Sequence, residues 1–158
     1  MRCFEKISEK QFNKDCSTAN YSDILLPIRK TKNSAGYDFI SINEITLMPG
    51  EIKKIPTGIK VRLNDDEFLS IYVRSSMGFK YNIRMCNQVG IIDADYYNNS
   101  DNEGHIWVCL QNEGNKDYKI EKGASFAQGI IMKYYTVLND EASSIRSGGI
   151  GSTDGRDE

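Results

Sequence analysis

Short runs rich in Ile, Val, Tyr and Phe recur along the chain between clusters of Gly, Asn and Asp, while helical periodicity is weak nearly everywhere. That spacing predicts many short strands. The runs are Ile24 to Ile28, Tyr37 to Ile42, Glu51 to Ile55, Ile59 to Arg62, Phe68 to Arg74, Val89 to Asp93, His105 to Gln111, Tyr118 to Glu121 and Ser125 to Tyr135. The clearest alternation sets Ile106, Val108 and Leu110 against Trp107, Cys109 and Gln111, giving a strand with two unlike faces. Turns are expected at Met48-Pro49-Gly50, Asn64-Asp65-Asp66 and Asn112-Glu113-Gly114, and one short helix between Lys6 and Lys14. So many strands in one small domain predict an all-β sandwich, jelly roll or barrel, which buries sheet faces and limits open edges.

Past Leu138 the pattern changes to small and polar residues, ending in Arg146-Ser-Gly-Gly-Ile-Gly-Ser-Thr-Asp-Gly-Arg-Asp-Glu. This stretch cannot bury enough apolar area to fold by itself. The chain therefore divides into a folded part, residues 1–138, and an arm, residues 139–158, expected to be disordered until it meets a ligand. With 158 residues, 39% of them hydrophobic, the folded part fits one domain with one core. Net charge is −2 and the basic residues are scattered, so the wide positive surface of a duplex-binding protein is missing and no direct nucleic-acid binding is expected. The opening Met-Arg-Cys-Phe-Glu-Lys has no signal-peptide core, and no run approaches the ~18 apolar residues needed to span a bilayer. The expectation is an intracellular, cytoplasmic protein without membrane contact. Cys3, Cys16, Cys86 and Cys109 stand far apart without a C-x-x-C pair, which reads as reduced thiols rather than a zinc site or a disulfide framework. His105 is the one histidine, so a metal site of several histidines is excluded and a Ser-His-Asp triad would have to use it.

Four segments group chemistry. The glycine-rich arm offers backbone N–H groups, the Ser152 and Thr153 hydroxyls and the Arg146 guanidinium, a donor set for phosphate oxygens. Val73-Arg74-Ser75-Ser76-Met77-Gly78 ends a strand in a turn with an arginine and two hydroxyls, again suited to an anion. Gly90-Ile-Ile-Asp93-Ala-Asp95-Tyr96 places two carboxylates and a ring at the end of an apolar strand; Asp93 and Asp95 share a face if the strand runs that far. Gln128 stands inside an apolar strand, where its amide needs a partner. Each could also be ordinary structure: a flexible terminus, a turn, a solvated Asp-rich loop, a structural glutamine.

Taken in order, these segments resemble the five motifs of the homotrimeric dUTPase family, from about Leu25 to Gly155. Ser34-Ala-Gly-Tyr-Asp38 looks like the first motif, Arg74-Ser-Ser-Met-Gly78 the second, Gly90 to Tyr96 the third, Gly123 to Gln128 the fourth and Gly148-Gly-Ile-Gly-Ser-Thr153 the fifth. The resemblance implies a jelly-roll, dUTPase-like barrel subunit with a flexible C-terminal arm. It also implies a symmetric trimer whose sites lie between subunits, the arm of one capping a site built by the others. The implied reaction is hydrolysis of dUTP to dUMP and pyrophosphate.

Matched residue by residue, Asp93 is the general base on the attacking water, and Asp95 is a more replaceable position. Tyr96 lies against the deoxyribose and refuses a 2′-hydroxyl. Asn87 and the backbone from Gly90 to Ile92 read uracil. Arg74 belongs to the phosphate-binding motif; Ser75, Ser76, Gly78 and Gln128 contact phosphates, Ser75 and Gln128 nearest the α-phosphate. Arg146, Ser152 and Thr153 hold the γ-phosphate, and Ile150 and Gly151 lie in the arm that covers the substrate. Mg²⁺ arrives on the triphosphate, so no direct protein ligand is implied, and Asp38 is a scaffold or outer carboxylate.

Three departures stand out. Ile150 replaces the usual phenylalanine, where base stacking contributes roughly 1–3 kcal/mol. One residue, Ser147, separates Arg146 from Gly148, where many members have two. The link Tyr97 to Gly104 is longer and more polar than usual and reads as a surface loop. The related dCTP deaminases need a glutamate where Cys109 aligns, which argues against deamination. A non-catalytic nucleotide binder on the same fold is the other alternative, and the presence of Asp93, Tyr96 and Gln128 argues against it.

Overall fold

The structure, a computed structural model, describes residues 1–143, Arg146, Gly148 and Gly149. Expectations for Ile150, Gly151, Ser152 and Thr153 fall outside the described residues. In chain order the elements are β1 (Cys3–Lys6), α1 (Glu9–Asp15), β2 (Tyr37–Ile40), β3 (Ile45–Leu47), β4 (Ile52–Pro56), β5 (Ile59–Arg62), β6 (Glu67–Val73), α2 (Ser75–Tyr81), β7 (Ile83–Met85), β8 (Gly90–Asp93), β9 (Trp107–Asn112), β10 (Tyr118–Ile120) and β11 (Ser125–Lys133). Two short 3-10 turns lie at Tyr21–Asp23 and Ala94–Tyr96.

Among the described residues every named strand pairing is antiparallel. The larger sheet runs β2-β11-β6-β8 and the smaller β4-β9-β7, with ribbons β1-β5 and β10-β3 beside them. This agrees with the expected all-β jelly roll. The alternation holds: Ile106, just before β9, and Val108 and Leu110 on it are fully buried, while Trp107, Cys109 and Gln111 are half-buried. They join Ile7, Phe12, Phe39, Leu69, Ile71 and Phe126 in one core, each large side chain removing apolar surface worth about 1.5–3 kcal/mol.

The helix expected at Lys6 to Lys14 is α1, capped where the Ser8 hydroxyl accepts from the Gln11 N–H at 3.1 Å. The run Ile24 to Ile28 is not a strand. Pro27 has no N–H to donate, Leu25 and Leu26 are exposed, and only Ile28 makes an isolated bridge, to Asp38. The segment after Arg74, expected as a turn, is α2; it ends at Asn82, whose left-handed φ of 56° stops the helix.

No helix among the described residues is long and apolar enough to cross a membrane. Residues 134–143 carry neither strand nor helix and are exposed.

Candidate active site

The expected residues collect in two hollows at opposite edges of the larger sheet. The first lies on the edge strand β8, and Asn87, Gly90, Ile92, Asp93 and Tyr96 all line it, together with Trp107, Arg146 and Gly149. Gly90 pairs with Ile71 across the β8-β6 ladder, and a Cβ on Gly90 would approach that of Ile71 to 3.2 Å. A glycine thus keeps this wall thin. The strand stops at Asp93, and the 3-10 turn that follows, rather than strand alternation, brings Asp95 round to the same guanidinium. Arg146 reaches Asp93 Oδ2 at 2.6 Å through Nη2 and Asp95 Oδ1 at 2.8 Å through Nε. Both carboxylates are about half exposed, at 48% and 54%, so water can reach them.

Tyr96 is buried, and its hydroxyl both donates, to the His105 carbonyl at 3.0 Å, and accepts, from Asn102 Nδ2 at 2.8 Å. Burial pushes its phenol above the ordinary range, with the Asn102 donation pulling the other way. The hairpin joining β7 to β8 turns at Gln88, at a φ of 62°, and leaves Asn87 exposed.

The second hollow is lined by Ser34, Gly36, Asp38, Arg74, Ser75, Ser76 and Gln128, with Lys30 at its margin. Asp38 and Gln128 are paired across β2 and β11, and Gln128 also pairs with Tyr72 on β6. The Gln128 amide donates to the Val73 carbonyl at 3.3 Å, and its oxygen lies where a Cβ on Gly36 would come within 2.7 Å. The glycine in Ser34-Ala-Gly-Tyr-Asp38 therefore makes room for the Gln128 side chain. Asp38 is buried, its Oδ2 has no hydrogen bond, and the nearest cation is Arg74 at 3.5 Å. Hydroxyls, an amide and cations on one wall suit phosphate oxygens. Gly78 lines a different hollow, with Tyr81, Asn82 and Gly114, and its N–H is bonded to the Arg74 carbonyl at 3.3 Å.

His105 is fully buried and belongs to the scaffold. Its Nε2 accepts the Gly58 N–H at 2.9 Å and its Nδ1 lies 2.6 Å from Asp15, so the proton sits on Nδ1. Burial lowers its pKa, against the opposing pull of Asp15 and Glu103. Cys109 faces Cys86, sulfur to sulfur at 3.2 Å, and its thiol is pushed up to about 11, first by burial. All four cysteines are free thiols.

The sequence context of Lys30, Trp107 and Asn102 does not mark them as site residues. Lys30 carries a weak signal, standing four residues before Ser34 in a basic stretch. Trp107 and Asn102 carry none, since one begins a strand and the other lies in an irregular loop.

Comparison with known proteins gives the family. The family model described as dUTPase matches residues 22–154. The chain is similar to the deoxyuridine 5′-triphosphate nucleotidohydrolase of Lactococcus lactis, 43% identical over 132 residues that cover 82% of this chain and 88% of that protein. The enzyme of the same name from Rickettsia felis is 45% identical over 135 residues, covering 81% and 87%. Among solved structures, the dUTPase from Streptococcus mutans superposes with a TM-score of 0.71 at 33% identity, covering 85% of this chain and 97% of that one. The motif order, the two hollows and these relatives lead to one assignment: the chain belongs to the dUTPase family.

Proposed function

We propose that the chain hydrolyses dUTP to dUMP and pyrophosphate in sites that its two hollows form between copies of itself. The observation that carries this reading is the convergence of Asp93, Tyr96 and the hairpin from Asn87 to Ile92 on one hollow. Asn87 and the Gly90 to Ile92 backbone pair with the edge of uracil, and close walls leave no room for a C5 methyl. Tyr96 lies against the deoxyribose, where a 2′-hydroxyl would collide with the ring. Asp93 takes the proton of a water that attacks the α-phosphorus in line. The bond from that phosphorus to the bridging oxygen breaks, and pyrophosphate leaves.

The phosphates lie along the second hollow, with Ser75 and Gln128 nearest the α-phosphate and Arg74 and Ser76 beside them. Because the hollows occupy opposite edges of the sheet, one substrate spans both when a second copy supplies the second. A closed symmetric trimer supplies each site in this way. Residues 1–138 are the catalytic domain and residues 139–158 the arm. The arm closes over the substrate of a neighbouring site, excludes water when closed and frees product when open. Arg146 then exchanges Asp93 and Asp95 for the γ-phosphate, joined by Ser152 and Thr153, with Ile150 and Gly151 over the base.

Among the described residues no three His, Cys, Asp or Glu side chains group for a metal. The donors facing the second hollow suit phosphate oxygens, which fits Mg²⁺ held by the triphosphate and its own waters, with Asp38 no closer than an outer shell. When bound there, Mg²⁺ offsets charge on the leaving pyrophosphate. A cytoplasmic location and freedom from nucleic-acid contact belong to the same reading.

Mixing two inactive variants tests the shared site. An Asp93→Asn chain and a Gln128→Ala chain, refolded together, should regain turnover that neither has alone. No recovery in co-assembled oligomers contradicts a site built by two copies.

A further inference from the structure

The surface loop from Tyr97 to Gly104 is ordered by its own polar side chains. Asn99 is buried; its oxygen accepts the N–H groups of Asp101 at 3.0 Å and Asn102 at 3.1 Å, and its amide donates to the Tyr96 carbonyl at 2.8 Å. Asn102 is used at both ends. Its oxygen accepts from the Asn99 amide at 2.9 Å and the Gly104 N–H at 3.0 Å, which leaves the nitrogen aimed at the Tyr96 hydroxyl, 2.8 Å away. Because the oxygen already takes two donors, the carboxamide cannot turn over without losing both.

The loop itself is tied down from outside. Glu103 accepts from the Ser8 N–H at 2.9 Å and from the Ser8 hydroxyl, and Lys60 lies 3.5 Å from the same carboxylate. Lys60 also donates to Asn98 at 2.7 Å, and Arg62 donates to the Tyr97 hydroxyl at 2.7 Å. Asn102 is therefore a fixed point, and the Tyr96 hydroxyl is held between its amide at 2.8 Å and the His105 carbonyl at 3.0 Å.

We infer that Asn102 is a positioning residue that sets where the Tyr96 ring stands, and thereby sets how strongly the site prefers a deoxyribonucleoside triphosphate over its ribo counterpart. The inference rests on the assignment of Tyr96 to the sugar. A ring that refuses one hydroxyl works over a distance of an ångström or less, so a small displacement is enough to lose discrimination. The hydroxyl of Tyr96 has no role in touching sugar; it holds the ring.

The test compares kcat/KM for dUTP and UTP in the full chain, Asn102→Leu, Asn102→Ala, Tyr96→Phe and the double variant Asn102→Leu with Tyr96→Phe. Asn102→Ala removes the same donor without the bulk of leucine, so it serves if the leucine variant fails to fold. The expected result is a dUTP-to-UTP ratio lowered at least ~10-fold in either Asn102 variant, mostly through faster UTP turnover. In the Tyr96→Phe background, Asn102→Leu should then change the ratio little, because the two act through one contact. A purely structural role would lower thermal stability and both kcat/KM values together. A wild-type ratio in a folded Asn102 variant, or effects of Asn102→Leu and Tyr96→Phe that add in full, overturns the inference. A wild-type chain that turns over dUTP and UTP alike overturns the sugar assignment and this inference with it. A chain inactive on dUTP overturns the proposed function instead.

Discussion

The guanidinium of Arg146 lies 2.6 Å from a carboxylate oxygen of Asp93. The arm's cation and the proposed base thus neutralise one another in the chain by itself. Asp93 is half exposed, and a triphosphate offers Arg146 more negative charge and more acceptor oxygens than the carboxylates do, so it can draw Arg146 away from Asp93. The exchange frees the oxygen that must accept water's proton.

Replacing Asp93 by Asn keeps the shape and removes the acceptor. We expect kcat to fall at least ~100-fold with dUTP affinity largely kept. Steady-state kinetics beside equilibrium titration of a non-hydrolysable analogue separates the two quantities. A loss smaller than about tenfold takes Asp93 out of the role.

Ending the chain at Ser143 removes Arg146 and the glycine-rich arm and leaves every strand intact. Turnover of dUTP should vanish while light scattering shows the same oligomer as the full chain. Full activity of the shortened chain contradicts the arm's role.

Gly36→Ala probes the second hollow. Its Cβ would meet Gln128 Oε1 at 2.7 Å, and that oxygen is the mobile end of a side chain, so the carboxamide should move and the fold should stay. The expected outcome is roughly tenfold lower kcat/KM for dUTP with a nearly unchanged melting temperature. Wild-type kinetics would show that Gln128 does not need its present place.

His105 predicts a pH dependence of stability. Burial holds its pKa below the ordinary 6.5, so the folded state favours the neutral ring. Its contribution is complete above about pH 6.5 and is lost as pH falls through the lowered folded value. Glu67 and Glu103, held below the ordinary 4.5 mainly by Arg2 and Ser8 respectively, act only at lower pH. Thermal melts from about pH 7 down to about pH 5 should show a falling midpoint in the wild type. His105→Asn should lose that slope, and should be less stable by about 1–3 kcal/mol at neutral pH because the Gly58 N–H loses its acceptor. An equal slope in both proteins would assign the effect to other groups.

Much of this was legible in the sequence where one face of an element is buried and the other is not. Strand β9 is legible from Val108 and Leu110 with Ile106 just before it, and Ile59 to Arg62 matches β5 residue for residue. Three strands carry no such contrast in the sequence. Ile83–Met85 and Ile45–Leu47 have three residues each, too few to establish a period, and Cys3–Lys6 is half-buried throughout with no contrast between its faces. Helix α2 was hidden because Ser75, Ser76 and Gly78 are poor helix formers, and tertiary packing of the buried Met77 overrides them. Both carboxylates and Tyr96 were visible as a cluster because they are neighbours in sequence. The contact of Asn102 with Tyr96 was not, since it joins two irregular segments six residues apart. Nor does any local pattern reveal that the two halves of the proposed site lie on opposite edges of a sheet, because that follows from the strand order β2-β11-β6-β8.

Release of pyrophosphate from dUTP, dCTP, dTTP and UTP, with the nucleoside products identified, tests the central claim most directly. The account predicts pyrophosphate and dUMP from dUTP, with at most a small fraction of that rate from the other three. Deoxyuridine nucleotide formed from dCTP, or no pyrophosphate from dUTP, would contradict it.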